Sequence, residues 1–412
     1  MKKIIMILSL LVSTITITTT SAEDIELKTD SAIAFDIESG KVLYEKNAKK
    51  ILPVASATKV LTTYMVYKEI EQGKLEWSSP VTISDYPFQL TTNYTISNVP
   101  LDARKYTVKQ LMKAMLVTNA NSAAIALAEK IGGTEPIFVD KMKKQLEVWG
   151  INDAKLYNAT GLPNSILGDN IYPKSKQSAE NKLSAKDLAI ITHHLLTEYP
   201  EVLKYTSLPK ATFDGQDIYS YNYMLEGYPY ERVGINGLFL GSPEKSGPTF
   251  IASSKINKMK VISIVIGAHQ EDNDVTEPFK TTSLLLDYLY QNFERVTLLK
   301  KNQVIKDKSF AIKDSPDQSV SISPKEDMTI IKKIGTTHQN EIIYNKNENP
   351  FYAPLANGDT LATAKYKDPN IIGMGYIGKS PVVTIQANQE VKRSFFLKVW
   401  WNHFVDYVNT NL

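Results

Sequence analysis

The sequence predicts a mixed α/β fold of the segregated α+β kind, followed by a small all-β domain and a terminal amphipathic helix. Three observations predict it. Strand-like runs stand at both ends of the segment from Asp24 to Arg295, with helical runs between them. That order implies one sheet assembled from the two ends, with a helical cluster beside it. From Thr297 the text changes to short alternating runs separated by turn residues, ending near Glu390. In residues 391–412 aromatic side chains recur at helical spacing.

Residues 1–22 read as a secretory signal: Lys2 and Lys3, an apolar stretch from Ile4 to Val12, then a Thr-rich run ending at Ala22. The apolar stretch is too short to span a membrane as a helix. Its removal lowers the formal net charge from +3 to +1, a balance that does not suggest nucleic-acid binding. With 412 residues, 43% of them apolar, the chain is long enough for two or three domains with sizeable cores. It has no cysteine, so neither a disulfide framework nor a thiolate metal site is available.

Ser31–Asp36 and Lys41–Tyr44 read as a strand hairpin turning at Ser39-Gly40. Pro53-Val-Ala-Ser56-Ala-Thr-Lys59 follows, and then the apolar run Val60–Tyr67, which reads as a buried helix. Residues three apart share a helix face, so the Lys59 amine can reach the Ser56 hydroxyl. A serine hydroxyl is a weak nucleophile and needs a base beside it. A buried lysine loses its proton more easily and can be that base. Free N–H groups at a helix start suit a developing oxyanion. By itself a Ser-x-x-Lys spacing is a weak signal, because it occurs by chance in many helices. Further strands are expected near Gly237–Leu240, Phe250–Ser254 and Val261–Ala268, and a closing helix over Pro278–Phe293. A polar loop, residues 169–183, is expected near the cleft. In the all-β part, strands are expected at Val304-Ile305, Ser319–Ile322, Met328–Ile331, Glu341–Tyr344 and Val382–Ile385. The histidines (His193, His194, His269, His338 and His403) lack metal-ligand spacing, and His193 and His194 read as structural residues of a helix.

The terminal segment carries Phe396, Val399, Trp400, Phe404, Tyr407 and Val408 on one side, with Lys398, Asn402, Asp406 and Asn409 on the other. Lys392 and Arg393 precede it. Aromatic residues with basic flanks suit a helix lying in a membrane interface.

The segment Ala32–Lys59 resembles the opening of the low-molecular-mass penicillin-binding proteins, the serine-type D-alanyl-D-alanine carboxypeptidases. Thr107-Val-Lys-Gln-Leu111, Ser122–Ala128, Asn158-Ala-Thr-Gly-Leu162, Ser184-Ala-Lys-Asp-Leu188 and Met259–Ser263 extend the likeness over nearly the whole chain. The resemblance implies a serine β-lactamase/transpeptidase-like domain over residues 24–295, a β-rich domain over 297–390 and a membrane-anchoring helix over 391–412. It also implies that Ser56 attacks the penultimate D-Ala carbonyl of a peptidoglycan stem peptide, with Lys59 as base, no metal or cofactor, and β-lactams as covalent ligands. The expected location is the outer face of the cytoplasmic membrane.

Two family motifs are altered. Where the family has Ser-x-Asn, this chain has Asn119-Ala-Asn121. An amide at Asn119 can orient Lys59 but cannot shuttle a proton as a hydroxyl does. Where the family has Lys-Thr-Gly on an edge strand, the aligned residues are Phe239-Leu240-Gly241, so the cation and hydroxyl for the substrate carboxylate are gone. Gly241 survives, and the backbone N–H of Ser242 remains available to an oxyanion hole with that of Ser56. A downstream Lys245-Ser246-Gly247 has the lost chemistry, but the ungapped alignment puts it in the turn after the strand. Three readings stay open: a carboxypeptidase of reduced efficiency, a pseudoenzyme that binds cell-wall peptide or a partner protein, and a β-lactam hydrolase. The last needs a dedicated deacylating base, for which the sequence offers no clear candidate.

Overall fold

The computed structural model of the chain describes residues 25–243, 247–268, 276–336, 341–348 and 350–411. Residues 1–22, read above as a signal, lie outside them, as do Lys245, Ser246, His269 and His338. In chain order the main elements are β1 (Thr29–Asp36), β2 (Val42–Lys46), α1 (Lys59–Glu71), α2 (Val108–Thr118), α3 (Asn121–Gly132), α4 (Glu135–Val148), α5 (Ala185–Glu198), β3 (Ile235–Gly241), β4 (Thr249–Ile256), β5 (Met259–Ala268), α6 (Glu277–Asn292) and α7 (Phe396–Asn411). One antiparallel five-stranded sheet has the order β2-β1-β5-β4-β3. The hairpin from one end of the domain thus pairs with the strands from the other, with Ile33 opposite Ile264 and Ser253 opposite Ile262.

Period-two alternation decides which face each strand residue covers. Ile33 and Phe35 of β1 enter the large core on the helical side with Ile262, Ile264 and Ile266. Ala32 and Ala34 face the other way, against Leu285, Leu286 and Leu289 of α6. The sheet is therefore covered on both faces, which explains its nearly continuous apolar strands. Every residue of α1 from Lys59 to Tyr67 is buried, so this helix runs through the domain interior and is apolar nearly all round.

The β-rich part contains the pair Phe293–Leu299 with Met328–Lys333, and a six-stranded sheet. The sheet runs in the order Ile342–Lys346, Thr360–Tyr366, Val382–Ala387, Ser319–Pro324, Ser309–Lys313, Phe351–Tyr352. The strand expected at Val304-Ile305 is absent: these residues join two turns, and Ile305 makes one backbone bond to the Ile322 carbonyl. Thr360–Tyr366, unread in the sequence, is a central strand whose inward residues include the small Ala362 and Ala364. In α7 the faces divide differently from expectation. Val399 is buried, His403 bonds Asp314 at 2.8 Å and Asp406 pairs with Lys313, so the 399/403/406 side is the one docked on the β-rich part. Phe396, Trp400, Trp401, Phe404 and Tyr407 remain exposed.

The loop before Val382 reaches back to the catalytic-type domain and covers the edge strand β2. Val42 N–H donates to the Gly375 carbonyl at 2.8 Å, and Ile377 N–H to that of Gly40 at 2.7 Å. Beneath them Lys41 and Asp368 form an ion pair at 2.7 Å with both side chains 2% exposed. Tyr376 Oη donates to the same carboxylate at 2.8 Å. Removing one member leaves a buried charge without its partner, a loss of about 3–5 kcal/mol. We expect Asp368→Ala to lower the midpoint of the first denaturant transition sharply. Glu294→Ala, which breaks a half-exposed pair with Lys332, should cost under about 1 kcal/mol. Equal midpoints for the two variants would show that the junction does not depend on the Lys41–Asp368 pair.

Candidate active site

The nucleophile turn is held from both sides. Leu52–Pro53 pairs with Lys182–Leu183, and Val54 N–H donates to the Asn181 carbonyl at 3.2 Å. Ala55 then takes a φ of 42°, a left-handed conformation costing an alanine roughly 1–2 kcal/mol. Gly161 closes over it: a Cβ there would stand 1.8 Å from the Ala55 carbonyl oxygen. Such strain persists only where the surroundings over-determine it, and it is often found at functional sites. Ser56 does not open an α-helix directly. It lies in a 3₁₀ turn, Ala55–Thr58, that runs into α1. In a 3₁₀ turn residues i and i+3 eclipse, which brings Ser56 and Lys59 together more closely than α spacing does.

Lys59 Nζ lies 2.8 Å from Ser56 Oγ, 2.7 Å from Asn121 Oδ1 and 3.2 Å from the Thr160 carbonyl oxygen. The side chain is 0% exposed, and burial pushes its amine well below the ordinary lysine value. A neutral amine has two N–H donors and one lone pair. Asn121 Oδ1 and the Thr160 carbonyl can only accept, whereas the Ser56 hydroxyl can donate. The three contacts fit an ammonium donating to all three oxygens, and equally an uncharged amine that donates to Asn121 and Thr160 and turns its lone pair to the Ser56 hydroxyl. Asn121 is itself oriented: its Nδ2 donates to the Ser97 carbonyl at 3.0 Å, which leaves Oδ1 for the lysine.

Thr160 belongs to a loop organised by Asn158. The Asn158 Oδ1 accepts from Thr160 N–H, Thr160 Oγ1 and Gly161 N–H at 3.2, 3.0 and 2.7 Å, while its Nδ2 donates to the Leu162 carbonyl at 2.8 Å. Asn181 ties this loop to the nucleophile turn through Thr58 Oγ1 at 3.2 Å and the Asn158 carbonyl at 2.8 Å. Sequence reading gave Asn158 only as part of a family match and missed Asn181, which nothing distinguishes from its polar loop neighbours. His193 and His194 lie on α5, where His194 stacks on Trp149 at 4.3 Å.

A cleft of about 430 Å³ opens over Ser56, lined among others by Asn119, Asn121, Glu180, Leu240 and Ser242. Asn119 does not orient Lys59. It caps α2 with a left-handed φ of 59°, and from there its Nδ2 donates to the Leu240 carbonyl at 2.9 Å. Its place beside the lysine is taken by Asn121. Phe239 lies in the main core, 2% exposed, and is not a lining residue, whereas Leu240 is. Gly241 has no room for a side chain, since a Cβ would stand 2.5 Å from the Val54 carbonyl oxygen and 3.1 Å from Ser56 N. In register, Phe239 pairs with Ile251 and Gly241 with Thr249, so Phe239-Leu240-Gly241 is the edge-strand tripeptide beside the nucleophile.

A model of the D-alanyl-D-alanine carboxypeptidase family matches residues 17–270, and one of the penicillin-binding protein 5 C-terminal domain matches residues 293–393. The chain is similar to the D-alanyl-D-alanine carboxypeptidase DacF of Bacillus subtilis, at 26% identity over 89% of this chain and 87% of that one. Against DacA of Escherichia coli K12 the identity is 25% over 94% and 91%. Among solved structures, a peptidoglycan synthesis regulatory factor (PBP3) from Streptococcus pneumoniae matches with a TM-score of 0.82 and 41% identity, covering 89% of this chain and 100% of that one. Penicillin-binding protein 5 of Haemophilus influenzae shares the fold, with a TM-score of 0.68 at 24% identity over 90% and 99%. A serine–lysine pair with a buried lysine in a fold of this kind, matched over more than half its length, makes the chain a member of the D-alanyl-D-alanine carboxypeptidase family of penicillin-binding proteins.

Proposed function

We propose that the protein is an exported serine carboxypeptidase that removes the terminal D-Ala from peptidoglycan stem peptides, at a rate reduced by its altered edge strand. The observation that carries this reading is the Lys59 amine, buried and 2.8 Å from Ser56 Oγ. As Ser56 Oγ bonds to the penultimate D-Ala carbonyl carbon, its proton passes to Lys59. In this reading the oxyanion is taken by the backbone N–H groups of Ser56 and Ser242, both residues of the cleft lining. The C–N bond then breaks, and Lys59 returns the proton to the leaving amine. Water hydrolyses the Ser56 ester and regenerates the hydroxyl. Lys59 acts with Asn121 as its orienting partner, and Asn119 holds the edge strand in place.

A fluorescent penicillin tests the nucleophile. The adduct should map to Ser56 and vanish in Ser56→Ala. Lys59→Arg, which keeps a permanent cation and no usable lone pair, should slow acylation by about 10²–10⁴-fold. An adduct on Ser122 or another serine would overturn the assignment.

Leu240 lines the cleft at the position of the family's hydroxyl, with its side chain packed in part on the Phe250 and Phe279 cluster, so no side-chain donor for a substrate carboxylate stands at that position. This favours, as a second reading, a pseudoenzyme that binds cell-wall peptide without brisk turnover. Restoring a hydroxyl with Leu240→Thr should speed acylation about tenfold, the worth of one hydrogen bond to a charged group at roughly 1.5 kcal/mol. Phe239→Lys puts an ammonium into the core and should lower thermal stability. Lys245→Ala should leave the rate unchanged. Loss of acylation in that variant alone would make Lys245-Ser246-Gly247 the working tripeptide.

The location at the outer membrane face rests on two features. Lys2, Lys3 and the apolar run after them have signal-peptide composition. No described helix is long and apolar enough to cross a membrane, but α7 leaves Phe396, Trp400 and Phe404 uncovered by other described residues. An interfacial anchor accounts for that surface. In liposome flotation the full chain should float with the lipid, and Trp400→Ser with Phe404→Ser should sediment. Equal flotation of both would remove α7 as the anchor.

A further inference from the structure

Glu135 is a buried carboxyl that the reaction described above does not use. It is the first residue of α4, where an acidic side chain ordinarily faces solvent near the free N–H groups of the helix. Here it points inward and is 4% exposed. Its Oε1 accepts the Ala159 N–H at 2.8 Å, and its Oε2 accepts the Tyr86 hydroxyl at 3.0 Å. The Ala159 carbonyl accepts Thr62 Oγ1 from α1 at 2.6 Å. The next carbonyl in the chain, that of Thr160, accepts the Lys59 amine at 3.2 Å. Glu135 and Lys59 therefore hold adjacent residues of one loop, the carboxyl from one end of the Ala159 unit and the amine one peptide further on.

We propose that Glu135 is a positioning residue for Lys59: its grip on the Ala159 N–H sets where the Thr160 carbonyl stands, and so how the Lys59 lone pair meets Ser56. The inference rests on the Ser56–Lys59 reading of the site and adds a residue to its support. A purely structural role, tying α4 to the loop, predicts a loss of stability alone. A positioning role also predicts a change at the amine.

The grip is sensitive to pH. Burial pushes the Glu135 carboxyl up to about 7; the Ala159 and Tyr86 hydrogen bonds pull it down, and Glu129 pushes it further up. The ionisable groups facing it are Tyr86, from the helix Asp85–Leu90, and Glu129, from α3. Glu129 is itself held above the usual carboxylate range by burial and accepts a bond from Ser84 Oγ at 2.8 Å. Ionised Glu135 can accept from both of its donors. Once protonated, it has an O–H of its own to place, and the Tyr86 hydroxyl can turn to accept it. The acceptor for Ala159 is then neutral and weaker. The sign for stability follows from a folded-state value raised above the ordinary carboxyl value of 4.5. Between those two values the folded chain keeps a proton that the unfolded chain has lost, so stability falls as pH rises through that window and levels off above it.

The test uses the full chain, with Glu135→Gln and Glu135→Ala. Glutamine keeps an acceptor for Ala159 but does not titrate. Acylation of the native chain by a fluorescent penicillin should lose rate on acidification through neutrality. Glu135→Gln should show a shallower limb, set by the titration of Lys59 alone, and stay within about threefold of the native rate at alkaline pH, whereas Glu135→Ala should be slower by about tenfold or more at every pH. A readout that needs no acyl-enzyme is the titration of Lys59 followed by ¹³Cε NMR, with Lys59→Arg to assign the signal. Its midpoint should move by about one unit in Glu135→Ala and much less in Glu135→Gln. An unmoved Lys59 titration in folded Glu135→Ala overturns the proposal, as does an unchanged acid limb in Glu135→Gln. Absence of acylation in the native chain would instead count against the carboxypeptidase reading, and the NMR titration would still decide the role of Glu135.

Discussion

The site depends on holding one lysine amine in the interior, where burial lowers its hold on a proton. Desolvation penalises the ammonium form and leaves the neutral amine easier to reach. That cost becomes useful when the remaining polar valences are satisfied in the right order. Asn121 Oδ1 and the Thr160 carbonyl take the two N–H groups, and Ser56 is left for the lone pair. Each partner has its own fixing contact. Asn121 is tied to Ser97, the Thr160 loop to Asn158, and the nucleophile turn to Asn181. The buried α1 helix supplies the rigid base, because nine consecutive residues from Lys59 to Tyr67 are packed on all sides. Loosening any of these would admit water and favour the ammonium, which has no lone pair for Ser56.

The nucleophile and its base were legible because they are local. Ser56 and Lys59 are three residues apart, and the apolar run after them announces a buried helix. The strands of the five-stranded sheet were legible from their length and apolar character, although β2 and α6 are each displaced by a residue or more from the sequence reading. What was not legible depends on tertiary pairing. Asn119 and Asn121 differ in nothing local, yet the left-handed cap at Asn119 swings its amide to Leu240 and leaves the lysine to Asn121. Thr360–Tyr366 was overlooked because a central strand packed between neighbours can use alanines where a sequence reader looks for branched residues. Val304-Ile305 has the right composition for a strand and makes only one ladder-like bond. Asn181 and Glu135 show their importance only through what they touch.

The β-rich part does more than extend the chain. Its loop supplies partners for the open edge of β2, an edge that otherwise offers unpaired backbone groups to other chains. The buried Lys41–Asp368 pair lies in the same contact, with the Tyr376 hydroxyl on the carboxylate. A buried pair of this kind contributes little net stability but penalises misplacement heavily, because each member needs the other. Arg295 and Lys260, both paired with Glu38, add a surface layer to the junction. The orientation of the two parts is thereby set at the hairpin end of the sheet, away from the cleft, so the cleft is built from one domain alone.

That separation bears on what the altered strand does to the chemistry. The proposed proton path runs through Ser56, Lys59, Asn121 and the Thr160 loop, none of which belongs to β3. The edge strand packs against that path at Gly241, whose backbone meets the nucleophile turn, and Asn119 ties it there through the Leu240 carbonyl. Replacing a cation and a hydroxyl by Phe239 and Leu240 therefore removes attraction for a carboxylate without disturbing the nucleophile. Phe239 instead joins the main core with Leu238, which gains the strand apolar contact. The two changes act together on substrate holding. A group lost from substrate holding alone weakens binding and transition state alike, which is an effect on kcat/KM first and on the acylation step itself only as far as the carboxylate contact tightens during attack. The altered strand and the intact serine–lysine pair are thus compatible in one molecule: in the proposed reading the first sets how often a stem peptide is held in register, the second what happens once it is.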